Sequence, residues 1–145
     1  MYKVILTGEL GRLCKWLRII GFDAEYYKEE NLSSLIIRSL RDKRTVITRR
    51  KKVGDLKVVT VRSDHIQEQI KQVLAAFDYS PEPDKMFLRC VVCNRKLVSA
   101  DKAEVRGKVP EYVFQTKDVF LRCEQCGRVF WQGTHWGKVR DFLKI

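Results

Sequence analysis

Strand-length and helix-length apolar segments alternate through the first 80 residues, a proline-bearing break follows, and two CxxC pairs mark the remainder. Together these three observations predict an α/β chain: a parallel sheet flanked by helices over residues 1–80, then a small β-rich module with a closing helix over residues 81–145. At 145 residues, 45% hydrophobic and 32% charged, the chain has room for one real core and an appended module, which excludes a long multidomain enzyme.

Residues 2–6, carrying Val4 and Ile5, form the first strand. From 10 to 20, Leu10, Leu13, Cys14 and Leu17 recur at helical spacing, Arg12, Lys15 and Arg18 lie largely off that stripe, and Gly21 offers a left-handed stop. Residues 22–27 give the second strand. Asn31 is an N-cap for a second helix whose buried face is marked by Leu32, Leu35, Ile36 and Leu40, and residues 45–48 supply a short third strand. Gly54 and Asp55 turn the chain into a fourth strand at 57–61, and Ile66, Ile70, Val73, Leu74 and Phe77 line one face of a third helix. Residues 78–84 carry two of the three prolines and no apolar periodicity, which sets the domain boundary there. Beyond it strand-like pieces separate the cysteine pairs, and an amphipathic segment closes the chain from 136 to 145.

Twenty-nine Lys and Arg against 18 Asp and Glu give a net charge of +11 and a pI near 9.6, which favours a polyanionic partner, RNA first. The surplus is spread over both halves, but residues 41–52 concentrate seven basic residues and one acidic one. A lone charge run is commonly a solvated face; combined with the global surplus it predicts nucleic-acid contact. No apolar run approaches the roughly 20 residues of a membrane span, and the first residues lack the pattern of a secretory leader, so a cytoplasmic protein with no membrane partner is expected. A glycine-rich phosphate loop, a GxSxG elbow and an HExxH helix are all missing, which removes support for dehydrogenase, kinase and hydrolase chemistry.

The strongest chemical signal is the pair of knuckles Cys90-Val91-Val92-Cys93 and Cys123-Glu124-Gln125-Cys126, with 29 residues between them. Four thiolates suit one tetrahedral ion at about 2.3 Å, and hairpin strands would bring the knuckles together as a zinc ribbon. Iron also occupies such sets, but a closed four-sulfur site points to structural zinc, replacing a core that so small a module cannot build. The long spacer leaves room for additional strands. Cys14, on the first helix's apolar stripe, reads as a buried small hydrophobe. His135 is either a structural histidine or a spare ligand, and Tyr112, Phe130, Trp131 and Trp136 serve either as base-stacking platforms or as module core.

Leu10-Gly11-Arg12-Leu13-Cys14-Lys15-Trp16-Leu17-Arg18-Ile19-Ile20-Gly21-Phe22-Asp23 resembles the opening of the Mut-seven C-terminal RNase domain family, a branch of the PIN-like nucleases. Thr48-Arg49 resembles its Thr-Arg-Asp strand end, Glu68-Gln69 its third-helix motif, Arg89 to Asn94 its first knuckle, and Cys126 to Trp136 its closing signature. The resemblance spans essentially the whole length and implies a PIN-like parallel sheet followed by a zinc ribbon. It also implies RNA cleavage by Mg²⁺ or Mn²⁺ held by carboxylates at the strand ends.

Those carboxylates are replaced here: the family acid positions fall on Thr7, Asn31 and Arg50. Arg50 sets a fixed positive charge where a cation would sit, and it can instead pair with a phosphate. The expectation is a catalytically degenerate RNA-binding protein whose contact residues are Arg12, Lys15, Arg44, Arg49, Arg50, Lys51 and Lys52, with Mg²⁺ or Mn²⁺ relevant only if cleavage persists. One rival is an active endoribonuclease, with a site rebuilt from Glu9, Glu29, Glu30, Asp55 or Asp64, or metal-free on His65, His135 and the arginines. Another is a scaffold module that docks a protein partner and whose charge is incidental.

Overall fold

Val4, Ile5 and Leu6 are wholly buried, which places the first strand inside a sheet covered on both faces. The computed structural model describes residues 2–131 and 135–143. Strand β1 (Lys3–Thr7) pairs in parallel with β2 (Asp23–Tyr27) on one side and with β3 (Thr45–Thr48) on the other, and β4 (Val58–Thr60) lies beyond β3, giving the order β2-β1-β3-β4. Alternation along β1 sends Val4 and Leu6 to one layer and Ile5 to the other. The first layer is built by α1 (Gly11–Ile20), α3 (Ile66–Ala76) and α6 (His135–Leu143), through Leu13, Leu17, Ile70, Val73, Val139 and Leu143. The opposite layer is α2 (Leu32–Asp42), whose Leu35 packs with Tyr27, Val46 and Val53.

Helix α1 stops at Gly21, whose φ of 124° is open to glycine and whose Cβ, if present, would lie 2.8 Å from the Lys85 carbonyl oxygen. Asn31 caps α2 by accepting from the Ser34 amide at 3.1 Å. Leu40 does not join the buried face of α2: it is 64% exposed. At roughly 100° per residue, the stripe through Leu32, Leu35 and Ile36 continues to Ser39 and leaves Leu40 on its flank. Ser39 is buried and donates its hydroxyl to the Arg44 carbonyl at 2.6 Å, so a polar tie closes the last turn.

Residues 78–82 lead out past an aromatic cluster in which Tyr79 meets Tyr2 and Phe22 at centroid distances of 5.8 and 5.1 Å. The module beyond holds an antiparallel sheet of β5 (Val98–Ala100), β6 (Phe120–Arg122) and β7 (Val129–Trp131). The long spacer between the knuckles is occupied not by additional strands but by two short helices, α4 (Lys102–Val105) and α5 (Glu111–Thr116), set between β5 and β6. A capping box between Asp101 and Glu104 starts α4, and Pro110 directly precedes α5. Their apolar residues Val105 and Val113 join Ala100 and Phe120 in a small core, against which Trp131 packs, while Tyr112 is 69% exposed. The side chains of His135 and Trp136 lie outside the described residues, as do residues 132–134 and 144–145. Among the described residues no helix is long and apolar enough to cross a membrane.

Candidate functional site

The chain leaves β1 for β2 at one side of the sheet and adds β3 at the other, so a crevice opens at the carboxyl ends of β1 and β3. Thr7 ends β1 and Thr48 ends β3, and both are buried. The Thr7 hydroxyl donates to Glu9 Oε1 at 2.7 Å, and its oxygen lies 3.2 Å from Thr48 Oγ1. Each hydroxyl has one proton, so while Thr7 donates to Glu9 it is Thr48 that donates across this gap. Thr48 Oγ1 in turn accepts from the Arg50 amide at 3.2 Å. The network is closed on itself. The resulting cleft, of about 730 Å³, is lined also by Tyr26, Tyr27, Glu29, Glu30 and Arg50.

Burial pushes the Glu9 carboxyl up, yet its hydrogen bonds from Thr7, from its own amide and from the Arg49 amide, with the charge of Arg50, hold it below the ordinary value. It is therefore ionised and already committed. Asn31 contributes no free oxygen here, since its side chain caps α2 and its carbonyl accepts from the Tyr27 hydroxyl at 2.7 Å. Glu29 and Glu30 line the cleft with Glu9, but among the described residues the four cysteines are the only group of three or more Asp, Glu, His or Cys whose ligand atoms come within reach of one ion. Asp64 is paired with Arg49, and Asp55 is exposed in the turn after Gly54. Among the described residues the strand ends thus gather no group of three carboxylates within reach of one ion.

The basic residues divide between two ends of the sheet. Arg50 lines the cleft, Lys51 and Lys52 follow it exposed, and none of the three makes an ion pair among the described residues. Arg49 donates to the Ser63 carbonyl at 3.0 Å and braces the loop before α3, where His65 is exposed. Arg12 on the first turn of α1 and Lys15 one turn later are both exposed. Arg44 lies at the amino ends of the strands instead, its side chain 12% exposed and paired with Asp23 at 2.9 Å and Glu25 at 3.1 Å. Nothing in the local sequence announces those partners, because they lie about 20 residues away on β2, across β1 from the strand that Arg44 precedes.

The two knuckles share one geometry. Cys90 and Cys123 donate their amides to Arg95 and Arg128 carbonyls, each at 2.9 Å, and the residues after the second cysteines, Asn94 and Gly127, take left-handed φ of 62° and 78°. All four sulfurs lie within 4.8 Å of one another, and Cys90 Sγ is 3.7 Å from Cys126 Sγ. A tetrahedral ion with sulfur at about 2.3 Å needs sulfurs about 3.8 Å apart, so the donors fit a metal such as zinc. Removal from water, then the neighbouring sulfurs, push Cys93 up to about 12, while the Arg128 amide and guanidinium bring Cys126 down to about 6. Crowded thiols resist joint ionisation without a cation to neutralise them. Cys14 stands apart, 1% exposed and pushed up to about 11 mainly by burial.

Comparison with known proteins gives one family: the Mut7-C RNAse domain matches residues 2–143. No curated protein and no solved structure matches the chain.

Proposed function

The chain belongs to the Mut7-C RNAse domain family, and from that premise we propose that it is a catalytically degenerate member that binds RNA at the strand-end cleft without cutting it. The observation that carries this reading is Arg50 in the cleft beside the Thr7–Thr48–Glu9 network. Metal-dependent phosphodiester cleavage needs carboxylates that hold a divalent ion against the phosphate. Here the strand-end hydroxyls satisfy each other and Glu9, and among the charged groups of the cleft, Lys28 and Arg50 beside Glu9, Glu29 and Glu30, the Arg50 guanidinium is of the kind that binds phosphate directly. Arg49, Lys51 and Lys52 extend the basic surface at the mouth, with Arg12 and Lys15 on the adjoining helix; Arg44 serves the sheet. The ribbon holds zinc in a structural role, through Cys90, Cys93, Cys123 and Cys126.

Charge reversal at Arg50→Glu and Lys51→Glu tests the cleft. RNA affinity should fall, and the slope of log K against log salt for a single strand should shrink by about 0.7 for each phosphate the variant no longer neutralises. Unchanged affinity and slope would remove the cleft as the binding surface. Glu9, Glu29 and Glu30 in the same cleft favour a second reading, an active enzyme with a rebuilt acidic site, whose mark is Mn²⁺-dependent cutting abolished by Glu9→Gln. Ile37 and Leu40, each 64% exposed on α2, favour a protein-docking role, which predicts salt-insensitive association and no RNA affinity.

A further inference from the structure

Strand β2 is an edge of the first sheet, so the backbone groups on its outer side need partners from elsewhere. In a strand the N–H and C=O of one residue point the same way, and those of Ala24 both meet groups tied to the first knuckle. The Ala24 amide donates to Asn94 Oδ1 at 3.1 Å, and its carbonyl accepts from Arg18 Nε at 2.8 Å. The same Arg18, a buried charge on α1, donates through Nη1 to the carbonyls of Val91 at 2.8 Å and Val92 at 3.2 Å, the two residues between Cys90 and Cys93. Asn94 also donates from Nδ2 to Asp23 Oδ1 at 2.7 Å, and its carbonyl accepts from Arg89 at 2.6 Å. One guanidinium and one amide thus hold the knuckle backbone and the sheet edge in a single network.

We propose that Arg18 and Asn94 are positioning residues of the four-cysteine centre, so that metal loading and the order of β2 are thermodynamically linked. The Val91 and Val92 carbonyls take fixed directions once Cys90 and Cys93 bind one ion, and Arg18 accepts only that arrangement while keeping its bond to Ala24. Linkage is reciprocal: if the metal orders the edge, the edge strengthens metal binding by the same factor. The effect reaches further, because β2 ends in Tyr26 and Tyr27, which line the cleft about 10 Å along the strand. The inference rests on the metal-binding reading of the cysteines and is independent of the RNA reading.

The test titrates zinc into the full chain, follows amide exchange at Ala24 and at Ile47 in the middle of the sheet, and measures zinc affinity against a chromophoric chelator. Zinc should slow exchange at Ala24 by at least about tenfold and change Ile47 much less. Arg18→Gln and Asn94→Gly should each weaken zinc binding by about 10- to 100-fold, the range for groups that hold metal ligands in place. Arg18→Lys, with donors but no fork, should restore part of the loss. Asn94→Gly keeps the left-handed backbone and removes only the side-chain clip, so it decides the matter if Arg18→Gln does not fold. Zinc uptake with unchanged Ala24 exchange, equal gains at Ala24 and Ile47, or wild-type affinity in both variants would overturn the linkage. Failure of the wild-type chain to take up zinc would instead overturn the metal reading beneath it.

Discussion

The strand-end cleft and the ribbon both gather donors of the kind a cation takes, and they are built in opposite ways. In the cleft every well-buried oxygen has a partner within the protein: Thr48 supports Thr7, Thr7 supports Glu9, and Arg50 supplies the positive charge nearby. In the ribbon four sulfurs crowd together, with Arg128 on Cys126 and the Cys93 amide on Cys90, and the core beside them is four buried residues, Ala100, Val105, Val113 and Phe120. Donor identity alone, then, does not make a metal site. What matters is whether the fold has already satisfied the donors, and whether the surrounding structure can stand without the ion.

Metal removal should therefore affect the two regions very unequally. With chelator, or in Cys123→Ser, amide protection in β5, β6 and β7 should be lost while the amides of Val4, Ile5 and Leu6 stay protected. Under the same conditions Cys90, Cys93, Cys123 and Cys126 should react with a thiol reagent and Cys14 should not, because its thiol is buried and pushed up to about 11. Full ribbon protection without metal would erase the contrast. The converse change sharpens it: Thr7→Asp with Arg50→Asp should create Mn²⁺ binding at the cleft, seen by paramagnetic broadening of resonances from Gly8 and Tyr27. Absence of broadening would mean that more than donor chemistry has changed there.

Smaller effects follow from the sizes of the two cores. Leu17→Ala should cost the α/β unit about 2–5 kcal/mol, measured by denaturant unfolding, and leave zinc affinity near wild type. Phe120→Ala, in the small core, should lower zinc affinity instead; equal consequences from both would show one indivisible core. The smallest effect is expected with pH. Burial pushes Asp23 up, but its bonds from Arg44 and Asn94 and the charges of Arg44 and Arg89 hold it below the ordinary value. A depressed carboxyl contributes stability above its unfolded value of about 3.9, lost as pH falls through the lower folded value. Unfolding midpoints of wild type and Asp23→Asn should converge below that pH and diverge above it.

Much of this organisation is legible in the residue pattern, where local physics decides. The strand Thr45–Thr48 and the helix ending at Gly21 follow from apolar runs with clear stops, and the knuckles follow from cysteine spacing alone. What is not legible is long-range. Arg44 reads as one more cation of the 41–52 run, yet it is a strut at the amino ends of the strands, fixed by Asp23 and Glu25. Arg18 reads as an off-stripe surface charge, yet it is buried against Val91, more than 70 residues away. Helices α4 and α5 have four and six residues, too few for a helical period to declare itself. Asn94 carries a usable signal, since it follows the second knuckle cysteine where Gly127 does in the other pair, a position needing positive φ.

The most direct measurement incubates zinc-loaded protein with labelled single-stranded, duplex and transfer RNAs, with Mn²⁺ or with EDTA, and reads gel shift and cleavage in the same tubes. The proposed degenerate, RNA-binding cleft predicts retained RNA that stays intact in both conditions, with retention falling as salt rises. Cutting that requires Mn²⁺ and disappears in Glu9→Gln would contradict it.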